Sequence, residues 1–165
     1  MQQIQKMAFT SEYNGKSRFL KTDASICYDK SSANAITLWD TGASSTVISK
    51  SIVEQLNLIP TGKMSIRTPS GTDVVNTYLV DIILPNKVMV NNVAVCDSKI
   101  GDQGIDLLIG MDIITLGDFA VSNYDNKTVF SFRMPSVKRT DYVKEVKLEQ
   151  LLGPQHGKGK RKRKK

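Results

Sequence analysis

The chain is poor in the residues that metal, redox and histidine chemistry require. Among its 165 residues are two cysteines and one histidine. Cys27 and Cys96 stand far apart, without the C-x-x-C spacing of a zinc or redox site, so no disulfide framework is expected and a reducing compartment suits them. Their plainest reading is as two small buried hydrophobes. His156 lies in a Gly- and Lys-rich tail, which argues against a histidine-based metal site and against a Ser-His-Asp triad. No metal or cofactor is expected. Long apolar runs are also missing: none approaches the roughly 18 residues of a membrane span. Met1 to Thr10 is polar, with no apolar stretch behind a basic cluster. The expectation is a soluble, cytoplasmic protein with no membrane partner.

Acidic residues are outnumbered, 16 Asp and Glu against 23 Lys and Arg, for a net charge of +7. The excess is local. Lys158, Lys160, Arg161, Lys162, Arg163, Lys164 and Lys165 supply it, and the rest of the chain holds 16 charges of each sign. Basicity is therefore a property of a short tail and not of a folded face. That tail lacks aromatics for base stacking, so Lys158 to Lys165 suggests weak polyanion contact as an accessory feature. The length fits one domain, which buries roughly 70% of its unfolded surface. No internal repeat occurs.

What is present is mostly β patterning. Short β-prone runs span Phe19 to Tyr28 and Ala35 to Trp39, separated by turn-forming residues Asp29 to Asn34. Ser49 is positioned to cap a helix over Lys50 to Leu58, with Ile52, Val53, Leu56 and Ile59 on its apolar face and Pro60 beyond. Lys63 to Thr68 and Thr72 to Leu84 form the arms of a hairpin around Pro69-Ser70-Gly71. In its second arm Tyr78, Val80, Ile82 and Leu84 share a face predicted to enter the core, with Val74 on the same face nearer the tip. Strands follow within Lys87 to Cys96, around a turn at Asn91-Asn92. A Gly- and Asp-rich loop over 97–104 leads to a short strand at Leu107 to Ile109 and a helical segment from Met111 to Leu116. Phe119 to Ser122 and Thr128 to Phe132 then read as a closing hairpin. Asp141 to Leu152 carries the pattern of a terminal amphipathic helix, stopped by Gly153-Pro154. The layout is an N-terminal extension (1–16), a domain (17–135), a terminal helix (136–152) and a disordered basic tail (153–165).

Two stretches carry chemistry. In Ile36-Thr37-Leu38-Trp39-Asp40-Thr41-Gly42-Ala43-Ser44-Ser45-Thr46-Val47-Ile48 an apolar strand runs into one acid and then a turn of small residues. About 70 residues on, Leu107-Leu108-Ile109-Gly110-Met111-Asp112-Ile113-Ile114 is an apolar strand whose glycine leads into a helix. The first resembles the D-T-G-A active-site motif of retropepsin-like aspartic peptidases, the second resembles that family's apolar-apolar-glycine element, and the hairpin at Pro69-Ser70-Gly71 stands where the family has its flap. The resemblance covers roughly Phe19 to Phe132. It implies an all-β fold: a closed β-barrel lobe with a flap hairpin and one or two short helices, acting as a homodimer. By resemblance Asp40 is catalytic, Thr41, Gly42 and Ala43 support the site and contact the substrate main chain, and Pro69, Ser70 and Gly71 close over an extended peptide. Ile48, Val80, Ile109 and Gly110 are candidates for the pocket or floor, with ordinary barrel core as the other reading of the apolar three.

One aspartate per chain is the reason for expecting a dimer. Two carboxyl groups in contact cannot both ionise, so one serves as base toward water while its protonated neighbour polarises the carbonyl. Departures from the family pattern are visible. Ser44 and Ser45 replace acids that often follow the motif, and Met111 stands in place of an arginine after the second glycine. Asp112 is therefore expected to bond backbone or Thr46, as an acid at a helix start does. Trp39 is read either as an interface residue or as a buried strand aromatic. Two alternatives to catalysis stay open: Asp40 as a turn aspartate bonding its own loop amides, and an inactive dimerisation or peptide-binding module on the same fold.

Overall fold

The computed structural model describes residues 7–68 and 71–152. Pro69, Ser70, His156 and the basic run at 158–165 lie outside the described residues.

The chain alternates inward and outward side chains along two long strands, β2 (Leu20–Tyr28) and β3 (Ser31–Trp39), which pair antiparallel from Leu20↔Trp39 to Tyr28↔Ser31. Their connection is shorter than the sequence predicts. Asp29 takes the left-handed conformation at φ 52°, so Asp29 and Lys30 alone make the turn. Ser31 to Asn34 belong to β3: Ala33 and Ala35 point into the core while Ser31, Ser32 and Asn34 face solvent. Small inward residues and short polar outward ones give strand periodicity the composition of a loop.

β4 (Val47–Ser49) runs directly into α1 (Lys50–Gln55), whose N-cap Ser49 accepts from the Ile52 amide. The helix buries Ile52 and Leu56 as predicted but stops at Leu56, and Asn57 then turns at φ 50°. Ile59 consequently leaves the apolar face and is 68% exposed. The hairpin of β5 (Gly62–Thr68) and β6 (Gly71–Ile83) follows. Tyr78, Val80, Ile82 and Leu84 are all buried, the predicted core face, whereas Val74 nearer the tip is exposed.

β7 (Met89–Ser98) is one strand, contrary to the expected turn at Asn91-Asn92. The chain reverses earlier, where Lys87 (φ 66°) donates its amide to Leu84. Asn92 is instead a bulge residue: it sits at φ 54°, its amide is accepted by Asp81 Oδ1 at 2.8 Å, and the β6–β7 register shifts between Val80 and Ile82. Asn tolerates the left-handed region in turns and bulges alike, so composition does not tell the two apart.

β8 (Leu107–Ile109), α2 (Met111–Ile114), β9 (Asp118–Ser122), β10 (Val129–Met134) and α3 (Tyr142–Leu152) complete the chain. Hydrogen bonding runs β2-β3-β8-β4-β7-β6 and closes through β6 onto β2, making a six-stranded barrel from which β5 projects on the free side of β6. The fold is all-β with few short helices. Ile26, Ile48, Ile82, Leu84, Val95, Leu107 and Ile109 fill the interior.

Residues 7–12, grouped with an extension by the sequence reading, form β1 (Met7–Glu12), which pairs with β10 in a second sheet of order β1-β10-β9. Trp39 joins the two sheets. Its ring lies 4.9 Å from Phe132, 5.1 Å from Phe130, 5.7 Å from Phe9 and 6.3 Å from Phe119, and its indole N–H donates to Thr22 Oγ1 at 2.9 Å. Within the chain Trp39 is thus a buried strand aromatic whose polar edge is satisfied. α3 forms where predicted but buries no residue. At 100° per residue its apolar side chains fall on opposite sides of the axis, so it is not amphipathic. Among the described residues no helix is long and apolar enough to cross a membrane.

Candidate active site

The barrel brings the two motif stretches together through β8, which is flanked on both sides by strands of the first motif. β8 pairs parallel with β3 (Thr37↔Leu107, Trp39↔Ile109) and antiparallel with β4 (Val47↔Leu108). The segment 40–46, linking β3 to β4, must therefore bridge the end of β8 just where Gly110 leaves it. Asp40 is fixed at the near side, its amide donating to the Ile109 carbonyl at 2.9 Å. Its carboxylate is half-buried, and Oδ1 accepts from the Gly42 amide at 2.8 Å. Ala43 donates back to the Asp40 carbonyl at 3.3 Å. Thr41 and Gly42 are exposed beside it.

Two glycines have steric reasons to be there. A Cβ at Gly42 would stand 3.1 Å from Asp40 Oδ1, and one at Gly110 would meet the Ser45 carbonyl carbon and oxygen at 2.7 Å. Gly110 is thus the contact point between the bridge and the second motif. Beyond it the Met111 amide donates to the Ala43 carbonyl at 2.8 Å. Asp112, at the start of α2, bonds Thr46 as expected: Oδ2 accepts from the Thr46 amide at 2.8 Å and Oδ1 from its hydroxyl at 2.7 Å.

The apolar pocket candidates are core. Ile48 and Ile109 are 0% exposed and Val80 is 3% exposed, so in the single chain they offer no surface to a ligand. At the hairpin, Thr68 pairs with Gly71 (φ 137°), while Pro69 and Ser70 lie outside the described residues. Residues 62–68 pair with 71–77 across the hairpin, and β7 joins β6 from Thr77 onward. Its root is tied down: the Thr61 amide donates to Thr77 O at 2.8 Å and the Asn76 amide to Asp97 Oδ1 at 3.0 Å.

Asp106 is a contributor that sequence reading missed. Its Oδ2 accepts from the Ile36 amide at 3.0 Å and its own amide donates to the Ile36 carbonyl at 2.9 Å, extending the β3–β8 alignment that brings Asp40 to Gly110. The available signal was an acid immediately before the apolar strand. Cys96 lies alongside, its amide donating to Thr46 O at 3.4 Å. Burial, and after it the charges of Asp97 and Asp112, push its thiol pKa up, so it stays protonated and inert. A groove of about 1050 Å³ is lined by Lys21, Asp23, Asn34, Ile36 and Lys87 among others and does not include the 40–46 bridge.

A family model described as "gag-polyprotein putative aspartyl protease" matches residues 32–115. That span contains the bridge, the hairpin and the second motif. A search of the curated proteins finds no match. Among solved structures, a retropepsin-like aspartic protease from Rickettsia conorii superposes with a TM-score of 0.54 at 15% identity, over 81% of this chain and 99% of that one, a likeness of fold. The simian foamy virus (mac) protease matches with a TM-score of 0.42 at 20% identity, over 56% of this chain and 89% of that one. The retroviral protease-like domain of Ddi1 from Leishmania major gives 0.43 at 15%, over 76% and 99%.

Proposed function

The chain belongs to the gag-polyprotein aspartyl protease family, and from that membership we propose that it is an aspartic endopeptidase whose site is completed by a second copy. The observation that carries the reading is the geometry of Asp40: a half-buried residue at the end of β3, its carboxylate oriented by the Gly42 amide at 2.8 Å and its own amide bonded to the Ile109 carbonyl of the second motif at 2.9 Å. A turn aspartate bonding its own loop would make the Gly42 contact alone. It would not require the Ile109 and Met111 contacts that tie the same loop to a motif 70 residues away.

Two copies related by a two-fold axis would bring Asp40 against its equivalent, the self-complementary arrangement of an isologous contact. The pair then holds one proton between two carboxyls. The ionised member takes a proton from a water, whose oxygen bonds to the scissile carbonyl carbon. The protonated member gives its proton to the carbonyl oxygen, yielding a neutral tetrahedral diol. As the C–N bond breaks, the nitrogen gains a proton from the dyad and the diol returns one, leaving a carboxylic acid, an amine and the starting dyad. Thr41, Gly42 and Ala43 are proposed to contact the substrate main chain beside the dyad, and the 62–77 hairpin, with Pro69, Ser70 and Gly71 at its tip, to cover an extended peptide by main-chain bonding. No cofactor is required by this scheme.

Incubating the protein and its Asp40→Asn variant with a mixed peptide library between about pH 3 and 7, where carboxyl pairs titrate, tests this. New termini from the wild type alone support the reading. Identical, null digests from two folded proteins would leave a peptide-binding or dimerisation module in its place. Lys158 to Lys165 are proposed to add a weak, salt-sensitive polyanion contact that is independent of cleavage.

A further inference from the structure

The bridge over β8 has two ends, and only the Asp40 end is explained by the reaction. At the other end Thr46 is fully buried, and each of its polar groups is committed. Its amide donates to Asp112 Oδ2 at 2.8 Å, its hydroxyl donates to Asp112 Oδ1 at 2.7 Å, and its hydroxyl oxygen accepts from the Gly110 amide at 3.3 Å. Asp112 Oδ1 also accepts from the Ile113 amide at 3.0 Å. The direction of every bond is fixed. An amide N–H can only donate, and with its oxygen receiving Gly110 the threonine proton points to Asp112. Asp112 must therefore present two acceptor oxygens, which an ionised carboxylate does and a carboxamide does not.

We propose that Asp112 is a positioning residue for Asp40. Its carboxylate holds Thr46, Thr46 holds Gly110, and the adjacent Met111 amide holds Ala43 O at 2.8 Å, so the bridge is fastened at its middle and far end to α2. Between these points and the Asp40–Ile109 bond lie only Thr41 and Gly42, and the Gly42 amide is the group that orients the Asp40 carboxylate. Loosening the far end frees that amide to move. A misplacement of about 1 Å in a reacting group is enough to cost on the order of 100-fold in rate. The inference rests on the peptidase reading, which makes Asp40 the reacting group.

The test uses full-length Asp112→Ala, Asp112→Asn, Thr46→Val and Thr46→Ser, assayed for kcat and KM on a peptide cleaved by the wild type. Amide exchange is followed in parallel over residues 41–46 and over β6 and β7. Asp112→Ala and Thr46→Val are expected to lose about 10-fold or more in kcat with KM changed less than about 2-fold. Asp112→Asn keeps one acceptor and falls between, and Thr46→Ser keeps the hydroxyl and stays near wild type. Exchange should accelerate at Gly42, Ala43 and Thr46 and not in the barrel strands. Unchanged kcat in Asp112→Ala overturns the proposal, as does a loss matched by uniformly faster exchange, which marks a merely structural role. Should Asp112→Ala fail to fold, the Asn and Ser variants decide by the same criteria. If the wild type cleaves nothing, the peptidase reading fails separately, and wild-type exchange rates at 42–46 in Asp112→Ala then overturn the fastening itself.

Discussion

A methyl group at position 110 has no room. Built on the backbone it would stand 2.7 Å from the Ser45 carbonyl carbon and oxygen, and backbone cannot swing aside as a flexible side chain can. Gly110→Ala should therefore lower stability by at least about 1–3 kcal/mol, the range for overpacked sites, read as a lower urea midpoint. It should also reduce any peptidase activity more than Asp106→Asn does, which loosens only one strand bond. The Asp40 loop and the strand-to-helix turn at Gly110 were visible in sequence as two motifs, whereas the contact of Gly110 with Ser45 and the bond from Asp40 to Ile109 needed the fold. Asp112 was legible as well: an acid opening a helix was expected to bond backbone or Thr46, and it accepts from both the Thr46 amide and its hydroxyl. The candidates Ile48, Val80 and Ile109 could not be resolved from sequence, since a barrel strand shows the same branched residues to its core as to a lining pocket.

Among the elements, the segment after β10 is held to β9 by one carboxylate that no sequence pattern singles out. Asp118 accepts at Oδ1 from the Ser136 hydroxyl (2.6 Å), and at Oδ2 from the Val137 amide (2.9 Å), Arg133 Nε (2.9 Å) and Nη2, and the Lys138 amide (3.3 Å). The Ser136 hydroxyl first, then the Val137 amide and the Arg133 guanidinium, hold its pKa well below the usual carboxylate range. A carboxyl lowered in the folded state stabilises it only while ionised. The contribution is complete above the unfolded value of about 3.9 and is lost as pH falls below that toward the folded value. Amide exchange at Val137 and Lys138, corrected for its intrinsic pH dependence, should accelerate on acidification below about pH 3.9, and Asp118→Ala should show the same acceleration at neutral pH. An acid-insensitive segment in the wild type would contradict this. The partners lie 15–20 residues beyond Asp118, which is why they were not foreseen. The start of β3 was missed for a different reason, because Ser31 to Asn34 have turn chemistry and strand burial at once. In α3 helical propensity was read correctly while its apolar residues, spread around the axis, were taken for a face.

For the whole molecule, the aromatic cluster joins barrel and terminal sheet behind the Asp40 loop. Phe132→Ala, at a position with no exposure, should cost about 3–5 kcal/mol and loosen β1 and β10 together, measured as a fall in melting temperature and loss of amide protection in both strands. That β1 belongs to this sheet was not legible, since its pairing spans more than a hundred residues, from Phe9 to Phe132. Deleting residues 153–165 should leave cleavage unchanged while removing salt-sensitive binding to heparin. The central claim, that two copies each contribute Asp40 to one site, is tested most directly by co-refolding wild type with an equal amount of Asp40→Asn and measuring peptide cleavage against wild type alone at the same total concentration. Random pairing in two-fold dimers leaves about a quarter of the pairs with two aspartates, so activity should fall to about a quarter. Activity falling only to about half, in proportion to the wild-type chains present, would mean that each chain works by itself and would contradict the account.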